Sequence, residues 1–85
     1  MNYAVAIHAP AQKSLGRLPE NIQTRIARAM LALAENPRPA GVVKLSGREA
    51  WRIRVGDYRI IYEIDDDRHQ VLVVSAGNRR DIYRR

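Results

Sequence analysis

Apolar and aromatic positions in this chain switch between two periods, and the switches mark out its elements. From Trp51 to Tyr62 they recur at every second residue, so that Trp51, Ile53, Val55, Tyr58, Ile60 and Tyr62 share one face and Arg52, Arg54 and Arg59 share the other. Gly56-Asp57 at the centre of that run predicts a two-residue hairpin turn, which sets Val55 opposite Tyr58, Ile53 opposite Ile60 and Trp51 opposite Tyr62. Arg54 then faces Arg59. Like charges directly across an antiparallel pair destabilise a sheet, so this pair calls for another reason, and an anion held between the two guanidinium groups would supply one.

Elsewhere the pattern is read in the same way. Residues 2 to 8 alternate, with Tyr3, Val5 and Ile7 on one face, and predict a first strand. Pro10 opens a short helix whose apolar side is Ala11, Leu15 and Leu18, and the Leu18-Pro19 step ends it. From about Glu20 to Glu35, Ile22, Ile26, Ala29, Met30 and Leu33 fall at intervals of three and four, which predicts an amphipathic helix with Arg25, Arg28 and Glu35 toward solvent. Asn36-Pro37-Arg38-Pro39 stops that helix. Val42 to Leu45 is a short edge strand, followed by a Ser46-Gly47 turn, the hairpin and the acidic turn Asp65-Asp66-Asp67. Val71 to Ala76 is a continuous apolar run, expected for a strand that is centrally placed or covered on both faces, with Gly77 closing it. The basic tail, 78 to 85, has the length for one final helical turn. The order β-α-α-β-β-β-β predicts an α+β fold: one small domain over residues 1–85, with a mainly antiparallel sheet and two helices packed on one face.

Composition narrows the function. Eighty-five residues support one small core. Fifteen basic against nine acidic residues give a formal charge of +6, which points to an anionic partner such as nucleic acid or an acidic protein segment. Thirteen of the fifteen are arginine, whose planar fork of donors suits bidentate contacts to phosphate or carboxylate, although Ala- and Arg-rich composition also follows from GC-rich coding. The absence of cysteine removes disulfides and thiolate ligands, and His8 and His69 are too few and too scattered for a zinc site. No basic leader precedes an apolar run and no stretch reaches the length of a membrane span, so a cytoplasmic protein with no membrane partner, no metal and no cofactor is expected.

On the residues alone, each candidate has a plainer reading. Arg52, Arg54 and Arg59 fit an ordinary solvated outer face as well as a phosphate seat. Tyr83 fits a cap on the sheet edge. Trp51, Tyr58 and Tyr62 share phase with Ile53, Val55 and Ile60 and read as core, while Arg84 and Arg85 read as a solvated tail.

Four blocks in order carry a resemblance over nearly the whole chain: Ala-Glu-Asn-Pro-Arg-Pro (34 to 39), Lys-Leu-Ser-Gly-Arg-Glu (44 to 49), the hairpin (51 to 62), and Ala-Gly-Asn-Arg-Arg-Asp-Ile-Tyr-Arg (76 to 84). With these the sequence resembles the RelE/ParE family of toxins from type II toxin–antitoxin systems, and its motifs are similar to those of the RelE branch. That branch implies metal-independent cleavage of mRNA in the ribosomal A site, by attack of a ribose 2′-hydroxyl on the adjacent phosphate. The resemblance implies catalytic roles for Arg52, Arg54, Arg59, Arg79 and Tyr83, and RNA contacts for Lys44, Arg48 and Arg80. It implies a cognate antitoxin encoded beside the toxin, and contact with operator DNA only through that antitoxin. Well-known members carry lysine where Arg52 and Arg54 stand. A guanidinium does not give up its proton in proteins, so neither arginine can serve as a general base. Asn78 stands where relatives often carry histidine or lysine, which removes a further acid or base. Two alternatives stay open: a ParE-like inhibitor of DNA gyrase, and a degenerate toxin that acts only with its antitoxin as a transcriptional co-repressor.

Overall fold

Two proline steps delimit the longest helix. Pro19 holds an extended backbone at its N-cap, and Glu20 in the first turn complements the positive end of the helix dipole. At the other end Asn36 is forced to an extended conformation by the proline that follows, although its N–H still bonds the Ala32 carbonyl at 3.0 Å. The computed structural model describes residues 2–78, in the order β1 (Ala4–Ile7), α1 (Ala9–Gly16), α2 (Glu20–Glu35), β2 (Val43–Lys44), β3 (Trp51–Val55), β4 (Tyr58–Asp65) and β5 (Gln70–Asn78). The expected final helical turn lies outside the described residues. Among them, no helix is long and apolar enough to cross a membrane.

The five strands form one sheet in the order β1-β5-β4-β3-β2. Every neighbouring pair is antiparallel except β1 with β5, which is parallel. The hairpin adopts the predicted register: Trp51 opposite Tyr62, Ile53 opposite Ile60, Val55 opposite Tyr58, and Arg54 opposite Arg59. A register shift between Ile61 and Tyr62 pairs these residues with Ser75 and Val73 and leaves Val74 as an extra residue on β5. The inward phase of β5 therefore changes from Val71 and Val73 to Ala76. The strand runs on to Asn78, past the Gly77 at which the sequence placed its end.

One core lies between the helices and one face of the sheet. Ala11 of α1 and Ile26 and Leu33 of α2 pack with Ile53, Ile60, Tyr62, Val71, Val73 and Ala76, and Trp51, Val55 and Tyr58 border them. Of the three hairpin aromatics, Tyr62 is a core residue and Trp51 and Tyr58 are partly buried against the core, on the face their phase indicated. Tyr62 is fully buried, its hydroxyl donates to the Pro37 carbonyl at 2.7 Å, and burial pushes its pKa up to about 12.

A polar clip closes the acidic end of the sheet. The Arg38 guanidinium donates through both terminal nitrogens to the Asp66 carboxylate, at 2.9 and 3.1 Å, and stacks 4.9 Å from the Trp51 ring centroid. The Tyr3 hydroxyl donates to the same carboxylate at 2.7 Å, and the Tyr3 ring meets His69 edge-on at 5.1 Å. Four segments distant in sequence are tied together in this way. Arg38 is the first cause that lowers the Asp66 pKa, to about 2 from an ordinary 3.8. Because the folded value lies below the unfolded one, the clip contributes its full stability above about pH 4 and loses it as pH falls toward 2. Asp66→Asn is therefore expected to flatten that part of the acid limb; circular dichroism melts between pH 2 and 5 would show an unchanged limb if the clip were unimportant.

Candidate functional site

The face of the sheet away from the helices carries the arginines, and its cross-strand rows define their surroundings. Nearest the hairpin turn, Arg54 stands beside Arg59 and Arg59 beside Gly77; the next row is Val43, Arg52, Ile61 and Ser75. Neighbours in such rows stand roughly 5 Å apart. Farther along β4 on this face comes Glu63, paired with Leu72. Asp65 follows two residues on, so the face runs from basic at the hairpin end to acidic at the far end, roughly 20 Å from Arg59 along β4.

The three hairpin arginines differ in exposure, so the plainer reading of a uniformly solvated outer face does not hold for all of them. Arg54 is exposed and Arg52 is half-buried, but Arg59 is only 4% exposed. Its Nε is buried with no hydrogen-bond partner, and among the described residues no carboxylate lies within 4.0 Å of it. An alternating pattern gives the face on which a side chain stands, not what covers that face. Arg59 is the only buried charged residue among those described. A buried guanidinium with no counter-ion among the described residues, set beside a second arginine, is a positive charge in surroundings of reduced dielectric, where electrostatic attraction to an anion is strongest.

The other candidates divide. Lys44 pairs with Trp51 in the sheet, so it stands on the helix side; its Nζ donates to Glu49 at 3.2 Å and lies 5.7 Å from the Trp51 ring. Arg48 lines an open depression of about 700 Å³ at the acidic end, together with Glu49, Glu63, Asp65, Asp67 and Leu72. The structure brings neither of them to the Arg54–Arg59 pair. Arg79, Arg80 and Tyr83 lie outside the described residues. Arg38 had no candidate role in the sequence, and its bond to Asp66 spans 28 positions, a separation that no local pattern signals. Among the described residues, no group of three or more histidine, aspartate and glutamate side chains could hold a metal ion.

Comparison with known proteins places the chain. The family model described as the ParE toxin of the type II toxin–antitoxin system parDE matches residues 5–83. Toxin RelE of Mycobacterium tuberculosis is 37% identical over 96% of this chain and 87% of its own length. Toxin RelG of the same organism is 33% identical, with both chains covered in full. Among solved structures, the archaeal RelE–RelB complex from Pyrococcus horikoshii superposes with a TM-score of 0.83 at 30% identity, over 93% of this chain and 97% of the other. The family model carries the ParE name and these relatives carry the RelE name; the similarity to RelE extends over almost the whole of both chains in sequence and in fold. The chain belongs to the RelE/ParE family of type II toxin–antitoxin toxins, and within it is RelE-like.

Proposed function

We propose that the chain is a ribosome-dependent mRNA endonuclease that inhibits translation. The observation that carries this reading is Arg59, a buried guanidinium with no carboxylate within 4.0 Å among the described residues, held beside Arg54. Such a pair opposes folding, and a phosphodiester is an anion that would compensate it. Arg54, being exposed, makes the direct contact. Arg59, buried beside it, strengthens the local positive field as charge develops on the phosphoryl oxygens. The reaction is attack of the 2′-oxygen on the adjacent phosphorus, with cleavage of the bond to the 5′-oxygen. It leaves a 2′,3′-cyclic phosphate and a 5′-hydroxyl, the proton passing from the 2′-hydroxyl to the leaving oxygen. Arginine cannot accept that proton, so its transfer falls to Tyr83 or to a ribosomal group, while Arg52 and Arg79 hold the RNA. A cognate antitoxin, encoded adjacently, is the proposed protein partner; the related RelE of Pyrococcus horikoshii was solved with RelB.

A second reading, inhibition of DNA gyrase, draws on the ParE description of the matching family model. Primer extension on mRNA from cells expressing the chain separates the two. New 5′ ends within translated regions are expected, and intact transcripts together with a DNA-damage response would overturn the nuclease reading.

A further inference from the structure

We propose that the hairpin end of the sheet carries a second phosphate contact, formed by Arg25 and Arg28 of α2, which continues the basic surface from Arg54 around the β3–β4 turn onto the helix layer. The inference rests on the nucleic-acid reading above and extends the bound surface beyond the arginine-bearing face of the sheet.

Its geometry begins at Gly56. This residue has φ +61°, a conformation that favours glycine, and a Cβ placed there would lie 3.3 Å from both terminal nitrogens of Arg25 and 3.6 Å from its Cζ. The Arg25 fork thus rests end-on against the turn that joins the strands of Arg54 and Arg59. Asp57 is adjacent in sequence, yet no carboxylate lies within 4.0 Å of Arg25 or Arg28 among the described residues. All three ion pairs in that part of the chain, Arg38–Asp66, Lys44–Glu49 and Arg68–Asp65, use carboxylates of the acidic end or its flanking loop.

Arg28 follows Arg25 by three residues, so the two exposed cations share one face of α2 and repel each other. Among the described residues Arg25, Arg28, Arg54 and Arg59 have no carboxylate within 4.0 Å, whereas Glu49, Glu63, Asp65, Asp66 and Asp67 gather at the other end of the sheet, with Asp57 of the turn as the exception. A polyanion with evenly spaced charges suits the first end. On the turn side the exposed neighbours are Asn21 and Thr24, both polar; Leu31, 71% exposed, follows Arg28 by three residues and is the single exposed large apolar side chain of α2 beside the pair, on the side away from the turn. These surroundings favour an RNA backbone over a protein segment.

The test is equilibrium binding of the purified chain to ribosomes programmed with mRNA, measured across a potassium chloride series. It reads binding and is independent of cleavage. Each phosphate contact contributes a slope of about 0.7 to the dependence of log affinity on log salt for a single strand, so Arg25→Gln/Arg28→Gln is expected to lower the slope by about 1.4. Arg68→Gln, a change of the same kind at the acidic end, should leave it unchanged. All three sites are exposed and should tolerate substitution, which a thermal melt checks. A double variant with the wild-type slope would overturn the proposal, as would a loss confined to binding of the antitoxin. A wild type that binds with a steep slope but cuts nothing would sink the nuclease reading and leave this surface standing.

Discussion

Arg59→Met is expected to make the free chain more stable and the toxin less active. At 4% exposure, with a buried Nε that bonds nothing and Arg54 across the strand pair, Arg59 contributes desolvation cost and repulsion to the folded state. Methionine fills a similar volume without charge. Replacing even a buried ion pair by well-packed apolar side chains can stabilise by about 1–4 kcal/mol, and Arg59 has no such partner among the described residues; for a domain of this size about 1–2 kcal/mol raises Tm by roughly 5–15 °C. Removing a preorganised positive group from the neighbourhood of the reacting phosphate should lower the cleavage rate by about 10² to 10³. A melt and a cleavage assay on the same preparation decide the matter. If the variant melted lower than wild type, Arg59 would be a structural residue with a partner; if it cut RNA at the wild-type rate, it would have no part in the site.

Leu33→Ala is expected to remove about 3 kcal/mol of stability, within the range of 2–5 for a fully buried leucine, whereas Leu31→Ala should change it by less than about 0.5 kcal/mol. Leu33 has no exposed surface and packs in the one core, between α2 and the sheet. Leu31, two residues earlier, points away at 71% exposure. Small domains have little stability in reserve, so Leu33→Ala should shift the urea midpoint far below that of wild type. Comparable midpoints for the two variants would contradict the placement of the core.

Local features of the sequence determined much of this fold. The hairpin register followed from period-two alternation and Gly56-Asp57, because a one-residue slip would turn Trp51, Ile53, Tyr58 and Ile60 out of the core. The limits of α2 followed from Pro19 and from the Asn36-Pro37 step. The parallel pairing of β1 with β5 did not, since the two strands are far apart in the chain and nothing in either names its neighbour. Nor did the extra residue Val74, because a run of apolar side chains has no alternation in which a change of phase would show.

Of the site, the facing of Arg54 and Arg59 was legible and the burial of Arg59 was not. Burial depends on what covers a face, and alternation carries no record of that. Lys44 and Arg48 were candidates by charge and motif, but the structure pairs Lys44 with Glu49 and places Arg48 among the acidic residues at the far end of the sheet. Net charge counts residues without locating them, so the separation of a basic end from an acidic one became visible only once β4 had spaced them.

The most direct measurement uses mRNA bearing a single 2′-deoxynucleotide at the expected cut within the A-site codon of a programmed ribosome, under single-turnover conditions. With all-ribose mRNA the chain should cut that codon and leave a 2′,3′-cyclic phosphate; with the 2′-deoxy substitution the same bond should stay intact, since the attacking oxygen is gone. Cleavage of the substituted mRNA at an equal rate, or no cleavage of either, would contradict the account.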